Sequence, residues 1–160
     1  MAITDLYRPG HLIRRAQQIA YALFMEECAG HGLTPVQYAS LIALREKPGI
    51  DATRLAAMIT FDRSTMGDVL ERLEKKRLIA RTGSPNDRRV KLLRLTRAGR
   101  TLIDAVEPAV DRCQERILEP LAPADRAQFM QLLHQLVKLN DESARTLSKA
   151  RADLKIVKRR

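Results

Sequence analysis

The sequence predicts a mainly α chain carrying one small β-hairpin. Three observations predict it. Apolar residues recur at helical spacing over most of the 160 residues. Gly, Pro and capping residues cut this pattern into six segments. Only one stretch, residues 78–95, changes to short β-compatible runs around a polar, turn-rich loop.

Pro9-Gly10 precedes the first apolar stretch, His11 to about Ala29, in which Leu12, Ala16, Ile19, Ala20, Leu23 and Phe24 share helical spacing. Gly30-His31-Gly32 stops it. Thr34-Pro35 pairs an N-cap with proline at the first helical position and opens a second helix to about Lys47. Pro48-Gly49 ends that one. Asp51 caps a short third helix, Ala52–Ile59. Asp62 caps a fourth, Arg63–Lys76, with Met66, Val69, Leu70 and Leu73 on its apolar side.

Leu78–Thr82 and Val90–Leu95 then read as two strands joined by the loop Gly83–Arg89. Thr96 caps a fifth helix running to about Leu118, with a kink expected at Pro108. Ala122-Pro123 opens a sixth, carrying Phe129, Leu132, Leu133, Leu136, Val137 and Leu139 at helical spacing. Beyond about Thr146 apolar residues thin out and a basic tail begins.

Composition narrows the function. The net charge is +10, unevenly placed. Residues 63–100 balance to +8 and residues 145–160 to +6, while the remainder balances to −4. A block as dense as the first repels itself unless a polyanion answers it. Aromatic residues are 4% with no Trp, too few for a platform that stacks single-stranded bases. No run approaches the about 18–20 apolar residues of a membrane span, and the first residues lack an apolar export signal. Cys28 and Cys113 have no ligand spacing around them, which speaks against a thiolate metal site and for a reducing cytoplasm. No cofactor is expected. Enzyme motifs are absent: there is no nucleophile elbow, phosphate-binding Gly loop, HExxH or metal-spaced His/Cys set.

The third and fourth helices are joined by only Thr60-Phe61-Asp62, and a hairpin with a basic tip follows. That order is a winged helix-turn-helix, whose second helix enters the DNA major groove N-terminus first. There it offers Arg63, Ser64, Thr65 and Asp68 to base edges. Arg72, Lys75 and Lys76 are placed for phosphates. Arg88 and Arg89 at the wing tip can reach the minor groove.

The stretch FDRSTMGDVLERLEKKRLIAR from Phe61 to Arg81, then Asn86-Asp87-Arg88-Arg89, then Leu95-Thr96-Arg97-Ala98-Gly99, resembles the MarR family of bacterial transcription regulators. The resemblance covers nearly the whole chain. It implies a wing in which Asp87 positions Arg89 by a salt bridge. It also implies an obligate homodimer on double-stranded palindromic DNA, and a repressor answering to a small ligand. Arg77 departs from the family pattern, which has Gly there, so the fourth helix is expected to end without a left-handed glycine cap. The long apolar terminal helices agree with a dimer, since pairing two copies buries them and sets two recognition helices about 34 Å apart. The resulting division is 1–32 and 98–147 for dimerisation, 33–97 for DNA binding, and 148–160 as the basic tail.

The start Leu6-Tyr7-Arg8-Pro9-Gly10-His11-Leu12-Ile13-Arg14-Arg15 is polar for a segment near a dimer seam. Arginine can hold a carboxylate with both arms, and His or Tyr can bond a ring substituent. His11, Arg14, Arg15 and, more weakly, Tyr38 are therefore the candidate residues for a small aromatic acid effector. The same start resembles the branch of the family that represses nicotinate degradation, which implies 6-hydroxynicotinate. Other readings stay open. Arg14 and Arg15 can instead pair with Asp104, Glu107 or Asp111 of a second subunit. Cys28 or Cys113 can serve as a redox sensor or as a buried, inert thiol. The basic tail also suits an architectural or RNA-binding module.

Overall fold

Pro9 fixes φ at the first turn of α1 (Pro9–Glu27), so this helix starts two residues earlier than its apolar pattern suggests. In this computed structural model the described residues are 8–157 except Asn86 and Arg88, with side chains described up to Asp141 except that of Arg63. Tyr7 and Arg88, both named above, lie outside the described residues, as does the side chain of Arg63. The chain forms two compact units, Met1–Ile117 and Leu118–Arg160.

In the first unit a 3-10 turn, Ala29–His31, closes on Gly32 in the left-handed conformation. α2 (Pro35–Glu46) opens on a full capping box: Thr34 Oγ1 accepts the Gln37 N–H and Gln37 Oε1 accepts the Thr34 N–H. β1 (Ile50–Asp51), α3 (Ala52–Met58), α4 (Arg63–Lys75), β2 (Ile79–Gly83), β3 (Lys91–Leu95) and α5 (Arg97–Leu118) follow. α5 runs through Pro108 as one helix.

The expected hairpin is part of a three-stranded antiparallel sheet in the order β1-β3-β2. Ile79 faces Leu95 and Gly83 faces Lys91, while Ile50 faces Leu93 on the other side of β3. Leu41, Leu55, Leu73, Leu93, Ile103 and Val106 are all but inaccessible and form the centre of the core. They come from α2, α3, α4, β3 and α5, so the helix-turn-helix and the wing share one interior.

The motif Leu95-Thr96-Arg97-Ala98-Gly99 has a packing reason. Thr96 Oγ1 accepts the Gly99 N–H and donates toward the carbonyls of Arg77 and Leu78. A Cβ on Gly99 would lie 2.2 Å from the Leu78 carbonyl oxygen. Only glycine lets the first turn of α5 sit against the chain between α4 and β2.

α4 ends without a glycine cap, as expected, yet the left-handed cap itself is kept. Arg77 itself takes the left-handed conformation, φ 57. Its N–H donates to Glu74 O and the Leu78 N–H donates to Leu73 O, a complete Schellman cap built without glycine. Backbone hydrogen bonding and the burial of Leu78 hold a residue where its Cβ is unwelcome.

The second unit contains α6 (Pro123–Val157), which continues through the expected tail boundary. Phe129, Leu132, Leu136 and Leu139 fall on one stripe, and each is at least 40% exposed.

Candidate nucleic-acid interface

α4 is presented by two strained or capped ends. α3 ends in another Schellman pattern, with Phe61 N–H donating to Ala56 O and Thr60 at φ 51. A β-branched residue there is a genuine outlier. This tight turn delivers the chain to Asp62, whose Oδ1 accepts the Ser64 N–H at 3.0 Å while Oδ2 accepts the Ser64 hydroxyl at 2.6 Å. The Ser64 hydroxyl bond, then its N–H bond, holds the Asp62 carboxyl below the ordinary 3.8 of an aspartate. Thr65 Oγ1 donates to Asp62 O. Both hydroxyl protons are thus engaged locally, so Ser64 and Thr65 offer acceptor lone pairs outward.

Met66, Leu70 and Leu73 turn α4 into the core, which leaves Ser64, Thr65, Asp68 and Arg72 exposed. Lys75 is exposed and bridges Glu71 at 2.7 Å. Lys76 differs from the other two predicted phosphate ligands: its ammonium donates to the Gly32 carbonyl and ties the end of α4 to the turn before α2. Gly67 is also exposed, and a Cβ there would meet nothing within 4 Å.

In the wing, Asp87 Oδ1 accepts the Arg89 backbone N–H at 2.9 Å, and Asp87 O accepts the Val90 N–H. Asp87 therefore shapes the tip through the backbone of Arg89, which is exposed. At the base, Arg81 on β2 bridges Glu74 on α4 at 3.0 Å, an anchor that sequence reading missed. Together these elements present a helix face of acceptors and cations beside a basic loop tip.

The predicted effector residues are distributed differently. His11 Nδ1 lies 3.4 Å from Arg14 Nη2, and Arg15 reaches Gln18 at 3.5 Å, all along the outer face of α1. Tyr38 is half-buried on α2, its ring centroid 5.9 Å from that of Phe24. Burial, then the Glu107 charge, pushes its hydroxyl up. Phe24 is ten residues from Arg14, about 15 Å along the helix. One copy of the chain does not gather the four. Two of the acids weighed as partners for Arg14 and Arg15 face Arg45 of the same chain: Asp104 at 3.8 Å and Glu107 at 3.9 Å.

Cys28 and Cys113 are free and buried, and burial pushes both thiols up, which works against a thiolate sensor. Cys113 also lines an apolar cavity of about 270 Å³ with Tyr21, Phe24, Pro35 and Ile117. Nearby, Glu27 on α1 accepts from Arg116 at 2.7 Å and from Arg112 at 3.1 Å, both on α5. Among the described residues no helix is long and apolar enough to cross a membrane.

The family model described as MarR family matches residues 33–91, the segment from α2 into β3 that holds this interface. The HTH-type transcriptional repressor NicR of Pseudomonas putida is 30% identical over 135 residues, 84% of this chain and 85% of that protein. The chain belongs to the MarR family. It is a winged helix-turn-helix transcription regulator and not an enzyme. Two solved structures of similar shape extend the comparison. One is BpsR of Bordetella bronchiseptica, described by a mechanism for regulation of its DNA binding by 6-hydroxynicotinic acid. It is 31% identical with TM-score 0.77, over 82% of this chain and 94% of that one. The other is the transcriptional repressor CouR bound to a 23-mer DNA duplex. It is 29% identical with TM-score 0.78, over 86% of this chain and 98% of that one.

Proposed function

We propose that this MarR-family regulator is a homodimeric repressor, acting in the cytoplasm on palindromic double-stranded DNA and released by a small aromatic carboxylate. The observation that carries the DNA half is the exposed α4 face, Ser64, Thr65, Asp68 and Arg72, set beside the Asp87-shaped wing with Arg89 at its tip. Thr65 and Asp68 read base edges, with Arg63 at the start of the helix. Arg72 and Lys75 hold phosphates. Lys76 supports the helix from below rather than the phosphates, and Arg88 and Arg89 serve the minor groove. Residues 33–97 form the DNA-binding part, with 1–32 and 98–147 for dimerisation and 148–160 as a basic extension.

The effector half rests on the cations of α1 and on two relatives, the repressor NicR and BpsR with its 6-hydroxynicotinic acid. In this reading, α1 of one copy brings His11, Arg14 and Arg15 over the Tyr38 region of the other. The acid is then held between the dimer helices and the winged module. A ligand shifts DNA binding only through unequal affinity for the two dimer geometries.

The test is fluorescence anisotropy of the full-length protein on the DNA upstream of its own gene. The protein alone should bind. Adding 6-hydroxynicotinate should release it, whereas 2-hydroxypyridine, the ring without its carboxylate, should not. Arg14→Gln/Arg15→Gln should keep DNA binding and lose release. A wild-type complex that survives saturating 6-hydroxynicotinate and a panel of benzoates refutes the effector half and leaves the DNA half standing.

A further inference from the structure

Among the described residues, large apolar side chains are exposed in three places: along α1, along α6, and at Met58 and Phe61. The first two are the helices proposed for dimerisation. Met58 and Phe61 lie elsewhere, at the end of α3 and in the turn that leads into α4, and are 42% and 37% exposed. Every other Leu, Ile, Val, Met and Tyr between residues 33 and 95 is buried or half-buried. The winged module therefore leaves one apolar spot open, and it does so next to the start of α4.

Local structure holds Phe61 in place. Ile59 packs half-buried against the core, Thr60 reverses the chain at φ 51, and the Phe61 N–H donates to Ala56 O at 2.9 Å. The next residue, Asp62, is the N-cap of α4. A residue in this place commonly packs on the fourth residue of the helix, here Met66, which is buried. Phe61 nonetheless keeps an open face. Cations flank the spot along the chain: Arg54, one turn before Met58 on α3 and 77% exposed, and Arg63, directly after Asp62. An apolar spot between cations, continuous with the N-terminus of α4, suits DNA as its partner.

We infer that Phe61 is a specificity-determining residue of the operator interface, its ring packed on a thymine 5-methyl group where the N-terminus of α4 enters the major groove. The base edges in that groove are polar except for this methyl, and an exposed ring gains by covering an apolar group. The inference rests on the DNA-binding reading above. It adds an apolar contact that Ser64 and Asp68 cannot make, and it places an A·T pair in each half-site beside the start of α4. The effector reading plays no part in it.

Fluorescence anisotropy of the full-length protein tests it, on the DNA upstream of its own gene with thymidine replaced by deoxyuridine one position at a time. Uracil pairs as thymine does and lacks only the methyl. For the wild type, one thymine in each half-site should cost about fourfold in affinity when replaced, the worth of one covered methyl, and about sixteenfold when both are. Phe61→Ala should weaken binding to the thymine operator and bind the uracil operator equally well. Phe61→Leu keeps an apolar body and should retain part of the difference. Because each ratio compares two DNAs on one protein, a loss of stability in Phe61→Ala does not mimic the result. A wild type indifferent to uracil at every position overturns the inference. So does Phe61→Ala that weakens both operators while keeping the wild-type ratio, since the residue then only supports α4. Phe61→Ala with undiminished operator affinity also overturns it and makes Met58 and Phe61 a protein-docking spot instead. A wild type that binds none of these DNAs overturns the DNA-binding reading itself.

Discussion

The winged module and α6 treat similar leucines in opposite ways. Leu41, Leu55 and Leu73 are 0% exposed within a single chain, whereas Leu132 and Leu139 on α6 are 56% and 52% exposed. The module closes its own core because α2, α3, α4, β3 and α5 each contribute one apolar face. α6 has apolar residues on one broad stripe and belongs to the separate unit Leu118–Arg160. A contiguous exposed stripe of this length marks a surface made for a partner. The comparison teaches that the closed core and the open apolar stripe are encoded in different segments, so each can be broken without the other.

The largest effect should come from the module. Gly99→Ala drives a methyl into the Leu78 carbonyl and should destabilise by about 3 kcal/mol or more, as overpacking against backbone does. Urea unfolding measures this. A loss under about 1 kcal/mol would show that α5 can slide away from the α4–β2 junction.

α6 should respond in the complementary way. Leu132→Glu/Leu136→Glu places charge on the exposed stripe and should weaken self-association at least a hundredfold, about 2.7 kcal/mol, while the chain keeps its helical circular dichroism. Sedimentation of an intact dimer would move the dimer seam off α6.

Glycine substitutions at α4 give a smaller, signed pair. Arg77→Gly relieves a left-handed arginine and should stabilise by about 1 kcal/mol, leaving DNA affinity unchanged. Gly67→Ala should also stabilise by about 1 kcal/mol, since a helix-interior glycine is costly and nothing in the chain opposes a Cβ there. It should nevertheless weaken operator binding, because in the docking proposed above the DNA groove takes that open space. Equal or better DNA affinity for Gly67→Ala would mean that the α4 face is rotated from the orientation proposed above.

The smallest effect is pH-dependent. Hydrogen bonds from Arg116, then Arg112, hold the Glu27 carboxyl below its ordinary 4.5. A carboxyl lowered in the folded state adds stability above its unfolded value and loses it as pH falls through the folded one. The advantage in Tm of wild type over Glu27→Gln should therefore be present at neutral pH and shrink as pH is lowered below 4.5. An advantage independent of pH would mean that the α1–α5 contact rests on packing alone.

Local chemistry was readable in advance. Thr34, Asp51 and Asp62 cap the helices they were expected to cap, because an N-cap needs only a side-chain oxygen and the next three residues. The helix-turn-helix and its basic block were likewise legible, since periodicity and charge lie along a continuous segment. The expected helix bounds shifted by two residues at α1, where proline starts the helix and a 3-10 turn replaces its end.

What the sequence could not fix involves partners distant along the chain. β1 is two residues long and exists only because Leu92 and Leu93 lie opposite, so no periodicity marks it. Lys76 looks like any surface cation until the fold brings Gly32 to it across 44 positions. Composition and spacing determined a mostly helical, DNA-directed regulator, because burial, capping and charge density act over a few neighbouring residues. The tertiary structure alone decided which cations remain free, which glycine is indispensable and which apolar face stays open, because these depend on contacts that only long-range packing creates.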